Sequence, residues 1–169
     1  EGLASIEEAD GGTRIGALVS VRALEKSELV GRRNRALVQA AAILAPPPVR
    51  ALATIGGNVC NALPSADMAP VLLVLDAVAV IADEEQQEKV PLHAFFTGPR
   101  QTVLADRLLT GLELPAAAAA RQVGLYKLTR SAEDISLVQV AISVLWEETR
   151  MHEVRIALGA ASPVPLRVM

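Results

Sequence analysis

The sequence predicts an α+β fold in which strands are grouped rather than alternated with helices, and three observations carry that reading. Strand signals follow one another over Ala77–Ala82, Val90–Phe96 and Leu108–Leu114. A second group, Gln139–Glu147 and Val154–Ala160, flanks the polar turn Thr149–Glu153 as two arms of a hairpin. The clearest helical period, Asn34–Ala45, precedes both groups. Strands without alternating helices argue for α+β packing over a doubly wound sheet.

Taken in order, Arg14–Ser20 alternates as a strand and Val21–Leu29 has helical composition, with Glu25, Lys26 and Glu28 on its wet side. In Asn34–Ala45 the residues Leu37, Val38, Ala41 and Leu44 share one face. Pro46-Pro47-Pro48 ends that helix and is expected to deliver the chain, extended, through Val49–Ile55 into a glycine turn. Asp67 stands where an N-cap would before a helix over Met68–Leu75, with Pro70 tolerated in its first turn. Asp83–Glu88 reads as a solvated turn after the strand Ala77–Ala82. Pro115 and the alanine run Ala116–Ala120 suit a boundary, dividing the chain into 1–115 and 116–169. Asp134–Val138 reads as a short helical opening before the terminal hairpin.

A chain of 169 residues corresponds to one domain, or one domain and part of another. The net charge of −3 and the scattered basic residues give no stripe for nucleic acid. The longest apolar run, Met68–Leu75, is far below the roughly 20 residues that span a bilayer. A single cysteine, Cys60, excludes an internal disulfide and an iron–sulfur cluster on this chain, and fits a reducing compartment. His93 and His152 are distant from each other and from Cys60, so neither a tetrahedral metal site nor a nucleophilic dyad is expected; no residue is a candidate catalytic group.

The most informative segment is Ala53–Pro70, ATIGGNVCNALPSADMAP. Gly56 and Gly57 let backbone approach a ligand closely, and successive N–H groups in such a turn form a nest suited to phosphate oxygens. Thr54 and Asn58 flank them with hydrogen-bonding side chains, and Asp67 supplies a carboxylate for hydroxyls. The competing readings are a tight turn without a ligand for the glycines and a helix cap for Asp67.

The same segment, continued by VLLVLDAVAVI, resembles the FAD-binding medium subunit of the molybdenum hydroxylases. That family includes xanthine dehydrogenase, aldehyde and nicotinate oxidoreductases, and carbon monoxide dehydrogenase. Further blocks resemble it in family order: RIGALVSVRALEKSELV, LAPPPVRALATIGGN, FFTGPRQTVL, LTGLELP, YKLTRSAEDISLV and RIALGAASPVPLR. The wording CNALPSADMAP is nearer the xanthine dehydrogenase and nicotinate types than the carbon monoxide type. The resemblance implies the second subdomain of a PCMH-type FAD-binding domain, with a mixed or antiparallel sheet and flanking helices, followed by the start of an α+β C-terminal domain. It implies a piece truncated at both ends, beginning after a first glycine-rich segment and so binding FAD weakly or not at all in isolation.

Carried over position by position, the resemblance implies FAD contacts from Thr54, Ile55, Gly56, Gly57 and Asn58 at the diphosphate, and from Asn61 and Asp67 near the ribityl and sugar region. Leu44 and Leu109 would pack by the flavin and Lys127 would bring a cation close to it. Ala51, where relatives often carry asparagine, departs from the pattern at the loop's entry. Function would be electron transfer in a cytoplasmic, oligomeric flavoprotein oxidoreductase. A molybdopterin-bearing large subunit and a 2Fe–2S small subunit would feed FAD, which reduces NAD or another acceptor. The rivals are a flavin-free scaffold that docks partner subunits, and a flavin reductase of the cell-wall-precursor type, against which the last two blocks speak.

Overall fold

The computed structural model describes residues 2–168. The chain opens with β1 (Ile6–Ala9) and β2 (Gly12–Gly16), then runs through helices α1 (Val21–Lys26), α2 (Glu28–Arg33), α3 (Arg35–Ile43), α4 (Pro47–Leu52), α5 (Ile55–Cys60) and α6 (Ala69–Val74). There follow β3 (Val78–Ala82), β4 (Gln87–Pro91), the single turn α7 (Leu92–Phe95), the small hairpin β5 (Phe96–Gly98) and β6 (Gln101–Thr102), and β7 (Leu108–Leu114). After a 3-10 turn at Ala116–Ala120 come β8 (Gln122–Leu128), β9 (Val138–Glu147), β10 (Arg150–Gly159) and β11 (Leu166–Val168).

Two antiparallel sheets organise these elements, one ordered β1-β2-β7-β3-β4 and the other β11-β10-β9-β8. Against the second sheet lies α6, whose sequence APVLLV is apolar on every side; all six of its residues are buried. Such a helix must be enclosed, and α6 packs against all four strands of the second sheet and against α3. The core is continuous, running from Ile15 and Leu112 through Leu72 and Leu73 to Ala141 and Ala157. The α+β class and antiparallel sheets follow the sequence prediction. No helix among the described residues is long and apolar enough to cross a membrane.

Several local expectations are corrected. The predicted helix Val21–Leu29 is two helices hinged at Ser27, which closes α1 and caps α2 by accepting from the Val30 N–H at 3.3 Å. The triple proline does not lead into extended chain: Pro47 and Pro48 open α4, where fixed φ and a missing N–H suit a first helical turn. The Gly56-Gly57 pair is not a turn either, because both lie in the first turn of α5. Among the described glycines only Gly2 and Gly11 have positive φ. Asp67 caps nothing; Met68 is the N-cap of α6 and makes no side-chain cap bond. Residues 134–137 are irregular rather than helical, with Asp134 Oδ1 accepting from the Ile135 N–H at 2.7 Å. The segment Val90–Phe96 leaves the sheet at Leu92 to form α7, and β10 begins inside the expected polar turn, which shrinks to residues 148–149.

The strands β1, β8 and β11 carried no reading from sequence. In β8, inward Val123, Leu125 and Lys127 alternate with outward Gln122, Gly124, Tyr126 and Leu128. A lysine points in while a tyrosine and a leucine point out, which erases the polar–apolar alternation that marks a half-buried strand.

Candidate functional site

The backbone around α5 is stitched to the loop after β2. The Ile55 N–H donates to Val19 O and the Gly56 N–H to Ala17 O, both at 3.0 Å, while the Val21 N–H donates to Ala53 O at 2.8 Å. These bonds occupy two donors that a phosphate nest would need. The Gly57 N–H reaches Thr54 Oγ1 at 3.0 Å, so Thr54 is the N-cap and its hydroxyl hydrogen remains for another acceptor.

The paired glycines therefore divide their work. A Cβ on Gly56 would stand 2.6 Å from Ala17 O and 2.8 Å from Ala17 Cβ, so glycine there permits close packing of α5 on the chain after β2. Gly57 is exposed, and a Cβ would meet only Thr54 Oγ1, at 3.0 Å. Gly57 therefore leaves the surface at the start of α5 uncovered.

Asn58 Oδ1 accepts from the Met68 N–H at 3.2 Å and fastens the following loop onto α5. Asp67 is thereby held against the second sheet, where Oδ1 takes three donors. Lys127 Nζ is 2.9 Å away, Gln139 Nε2 3.0 Å and Ser136 Oγ 3.3 Å. Burial pushes the Asp67 carboxyl above the ordinary carboxylate range, while the bond and charge of Lys127 pull it back. The folded chain thus holds that proton more tightly than the unfolded one. The linked stability is present at acid pH and falls as pH rises through the raised pKa.

Lys127 is not a solvated surface lysine: its side chain is 7% exposed. Nζ also donates to Ile43 O at 3.3 Å, at the end of α3. Two of its three ammonium hydrogens are used, and the third is left beside a cleft of about 440 Å³ that Lys127 lines with Ile43, Leu125, Tyr126, Thr129 and Glu133. Leu44 and Leu109 are core side chains, and neither lines this cleft. Asn61 closes the C-terminal end of α5 and is exposed. The structure thus links Thr54, Gly57, Asn58, Asp67 and Lys127 through one run of helix, loop and hydrogen bonds.

Two participants, Ser136 and Gln139, were not read from the sequence. The available signal was polar residues at inward positions of β9: Gln139 and Ser143 are buried among apolar neighbours, and a buried amide needs partners.

A family profile described as the FAD binding domain in molybdopterin dehydrogenase matches residues 1–117. The chain belongs to this family. A second profile, the CO dehydrogenase flavoprotein C-terminal domain, matches residues 125–169. A xanthine dehydrogenase FAD-binding subunit from Escherichia coli O157:H7 is 35% identical over 162 residues, covering 94% of this chain and 55% of the relative. The carbon monoxide dehydrogenase medium chain of Hydrogenophaga pseudoflava is 28% identical over 166 residues, covering 98% and 58%. A solved carbon monoxide dehydrogenase from the same organism superposes with a TM-score of 0.93 at 29% identity, over 98% of this chain and 58% of that one. Quinoline 2-oxidoreductase from Pseudomonas putida 86 superposes with a TM-score of 0.90 at 26% identity, over 98% and 57%. The chain spans little more than half the length of these relatives.

The residues present suit the family's cofactor. A flavin dinucleotide needs donors for its diphosphate, polar groups for its hydroxyls and an apolar slot for its ring. The open face at Gly57 with the Thr54 hydroxyl, the Asp67 carboxylate, and the Ile43–Leu125–Tyr126 wall beside Lys127 offer these in turn.

Proposed function

We propose that the chain carries FAD as the electron-transfer subunit of a molybdenum-containing hydroxylase or dehydrogenase. It works in the cytoplasm within an oligomeric complex that includes a molybdopterin large subunit and a 2Fe–2S small subunit. Bound FAD supplies the two-electron to one-electron exchange between the cluster and NAD or another acceptor.

This chain's residues bind and orient. The Thr54 hydroxyl and the Asn58 side-chain amide hold the diphosphate, with Ile55, Gly56 and Gly57 setting the backbone that lets it approach. Asn61 and Asp67 face the ribityl and sugar hydroxyls. Ile43, Leu125 and Tyr126 wall the ring, and Lys127 directs its remaining N–H at the ring's polar edge. The observation that supports this reading best is the Lys127–Asp67 pair, held at 2.9 Å beside a cleft and tied through Asn58 to α5.

A second reading is a scaffold that docks partner subunits and binds no flavin. The spent N–H groups of Ile55 and Gly56 favour it, because two donors expected for the diphosphate are already occupied.

FAD titration followed by fluorescence quenching, made in a longer chain that includes the first glycine-rich segment, separates the two. The flavin reading expects saturable quenching, weakened by Gly57→Val about tenfold to a hundredfold or more, since one charge-assisted hydrogen bond is worth about 1.5–3 kcal/mol. Quenching that is absent from the unaltered chain, or untouched by the valine, overturns the flavin reading in favour of the scaffold.

A further inference from the structure

We infer that Ser136 and Gln139 are positioning residues: they hold the Asp67 carboxylate and, through it, fix the Lys127 ammonium at the mouth of the cleft. The inference rests on the flavin reading for its function, and on geometry alone for the positioning.

The register of the second sheet makes the arrangement. Lys127 on β8 pairs directly with Gln139 on β9. Directly opposed residues of an antiparallel pair project from the same face with Cβ atoms about 5 Å apart. Both side chains therefore enter the same buried space, where Gln139 and Ser136 are nearly inaccessible to water. The two hydrogens of the Gln139 amide are shared among three acceptors, Asp67 Oδ1 at 3.0 Å, Ser65 O at 3.1 Å and Ser136 Oγ. One side chain on β9 thus grips the loop between α5 and α6 at two points. Ser136, three residues earlier, touches Gln139 and donates to the same carboxylate oxygen.

Each contact has a consequence for Lys127. Its ammonium is anchored by Asp67 Oδ1 and Ile43 O, and the direction of its remaining hydrogen depends on both. Without Gln139 the carboxylate loses a donor that stabilises its ionised form, and the loop carrying it loses its tie to β9. Lys127 from β8 is the charged group that acts on Asp67, Glu133 lines the same cleft as Lys127, and α3 contributes the Ile43 carbonyl. The charge presented to a bound ring is then set by two uncharged side chains that do not line the cleft. Charge placed near a flavin tunes its electronics.

The test uses Gln139→Leu, with Ser136→Ala as the milder variant that keeps the sheet packing. In the protein without FAD, carbon-13 NMR follows the Asp67 carboxyl through a pH titration. Loss of the Gln139 donor is expected to raise its midpoint by about one to two pH units, and Ser136→Ala by less. In the FAD-loaded protein, the flavin absorbance is expected to show an inflection that moves upward with the same substitutions. An Asp67 midpoint unchanged in both variants overturns the inference. A midpoint that moves while the band of bound FAD stays flat across pH overturns the role toward the ring. Failure of a longer chain that includes the first glycine-rich segment to take up FAD instead overturns the proposed function, and the carboxyl titration still decides the positioning.

Discussion

The two sheets of this molecule finish their outer faces in opposite ways. On the five-stranded sheet the row Ile6, Ile15, Leu112, Ala79 and Val90 faces the core. The reverse face carries Glu7, Arg14, Glu113 and Lys89, with Lys89 Nζ 2.7 Å from Glu113. On the four-stranded sheet one inward row is Leu125, Ala141, Ala157 and Arg167, and two outward rows are apolar along their length. One runs Tyr126, Val140, Leu158, Leu166 and the next Gly124, Ile142, Ile156, Val168, with Trp146 at the end of β9. The first sheet is built to meet water. The second turns its polar side chains Lys127, Gln139, Ser143 and Arg167 inward and leaves its outward face apolar, and an exposed apolar face of this extent marks an interaction surface.

The largest test of that contrast sets two adjacent residues of β9 against each other. Ala141 is fully buried and Ile142 is 40% exposed on the opposite face. Ala141→Asp is expected to destabilise the fold by about 3 kcal/mol or more, because a carboxylate must be desolvated and fitted into a space packed for a methyl group. Ile142→Asp should change stability by roughly 1 kcal/mol or less and should reduce association of the chain measured by light scattering over a concentration series. Equal losses in urea unfolding, or a monodisperse unaltered chain at high concentration, would remove the distinction between the faces.

A smaller contrast lies between neighbouring glycines of α5. Gly56→Ala forces a methyl group against the backbone of Ala17 and is expected to cost about 1–3 kcal/mol. Gly57→Ala meets one hydroxyl at the surface and, with alanine favoured in a helix, should cost less than about 1 kcal/mol. Thermal melts of the two variants give the ranking, and the reverse order would undo the division of labour between packing and binding.

The smallest expected effect is chemical. Burial pushes the Cys60 thiol up to about 11 from an ordinary 9.0. Because the thiolate is the nucleophile, alkylation of Cys60 at pH 8 should run roughly 100-fold slower than that of a thiol at the ordinary value. A rate near that of a free peptide thiol would mean that α5 opens readily, and would weaken its place as a fixed platform.

Much of the architecture was legible because it rests on short-range chemistry. Leu108–Leu114 and Ala77–Ala82 match β7 and β3 to within a residue, because their β-branched and leucine runs fit a buried, pleated surface. The family followed from the ordered blocks around ATIGGN, and with it the candidate site. The misreadings share one cause. Proline can end one helix or begin the next, and glycine can supply a turn or permit close packing; Pro47 and Gly56 took the second role because of what lay beside them in space.

Asp67 shows the limit most clearly. Its sequence neighbours make it a fitting N-cap before Met68–Leu75, and local hydrogen bonding would have sufficed. The partners that claimed it, Lys127, Ser136 and Gln139, lie 60 to 72 positions away and are delivered by the register of β8 on β9. The sequence alone determined the class of fold, the apolar helix at its centre and the family, since composition, period and motif are local properties. Tertiary structure decided which glycine packs and which faces outward, where the carboxylate finds its cation, and which sheet face is left apolar. Those outcomes depend on pairing and burial between distant segments, for which a single strand of sequence carries no register.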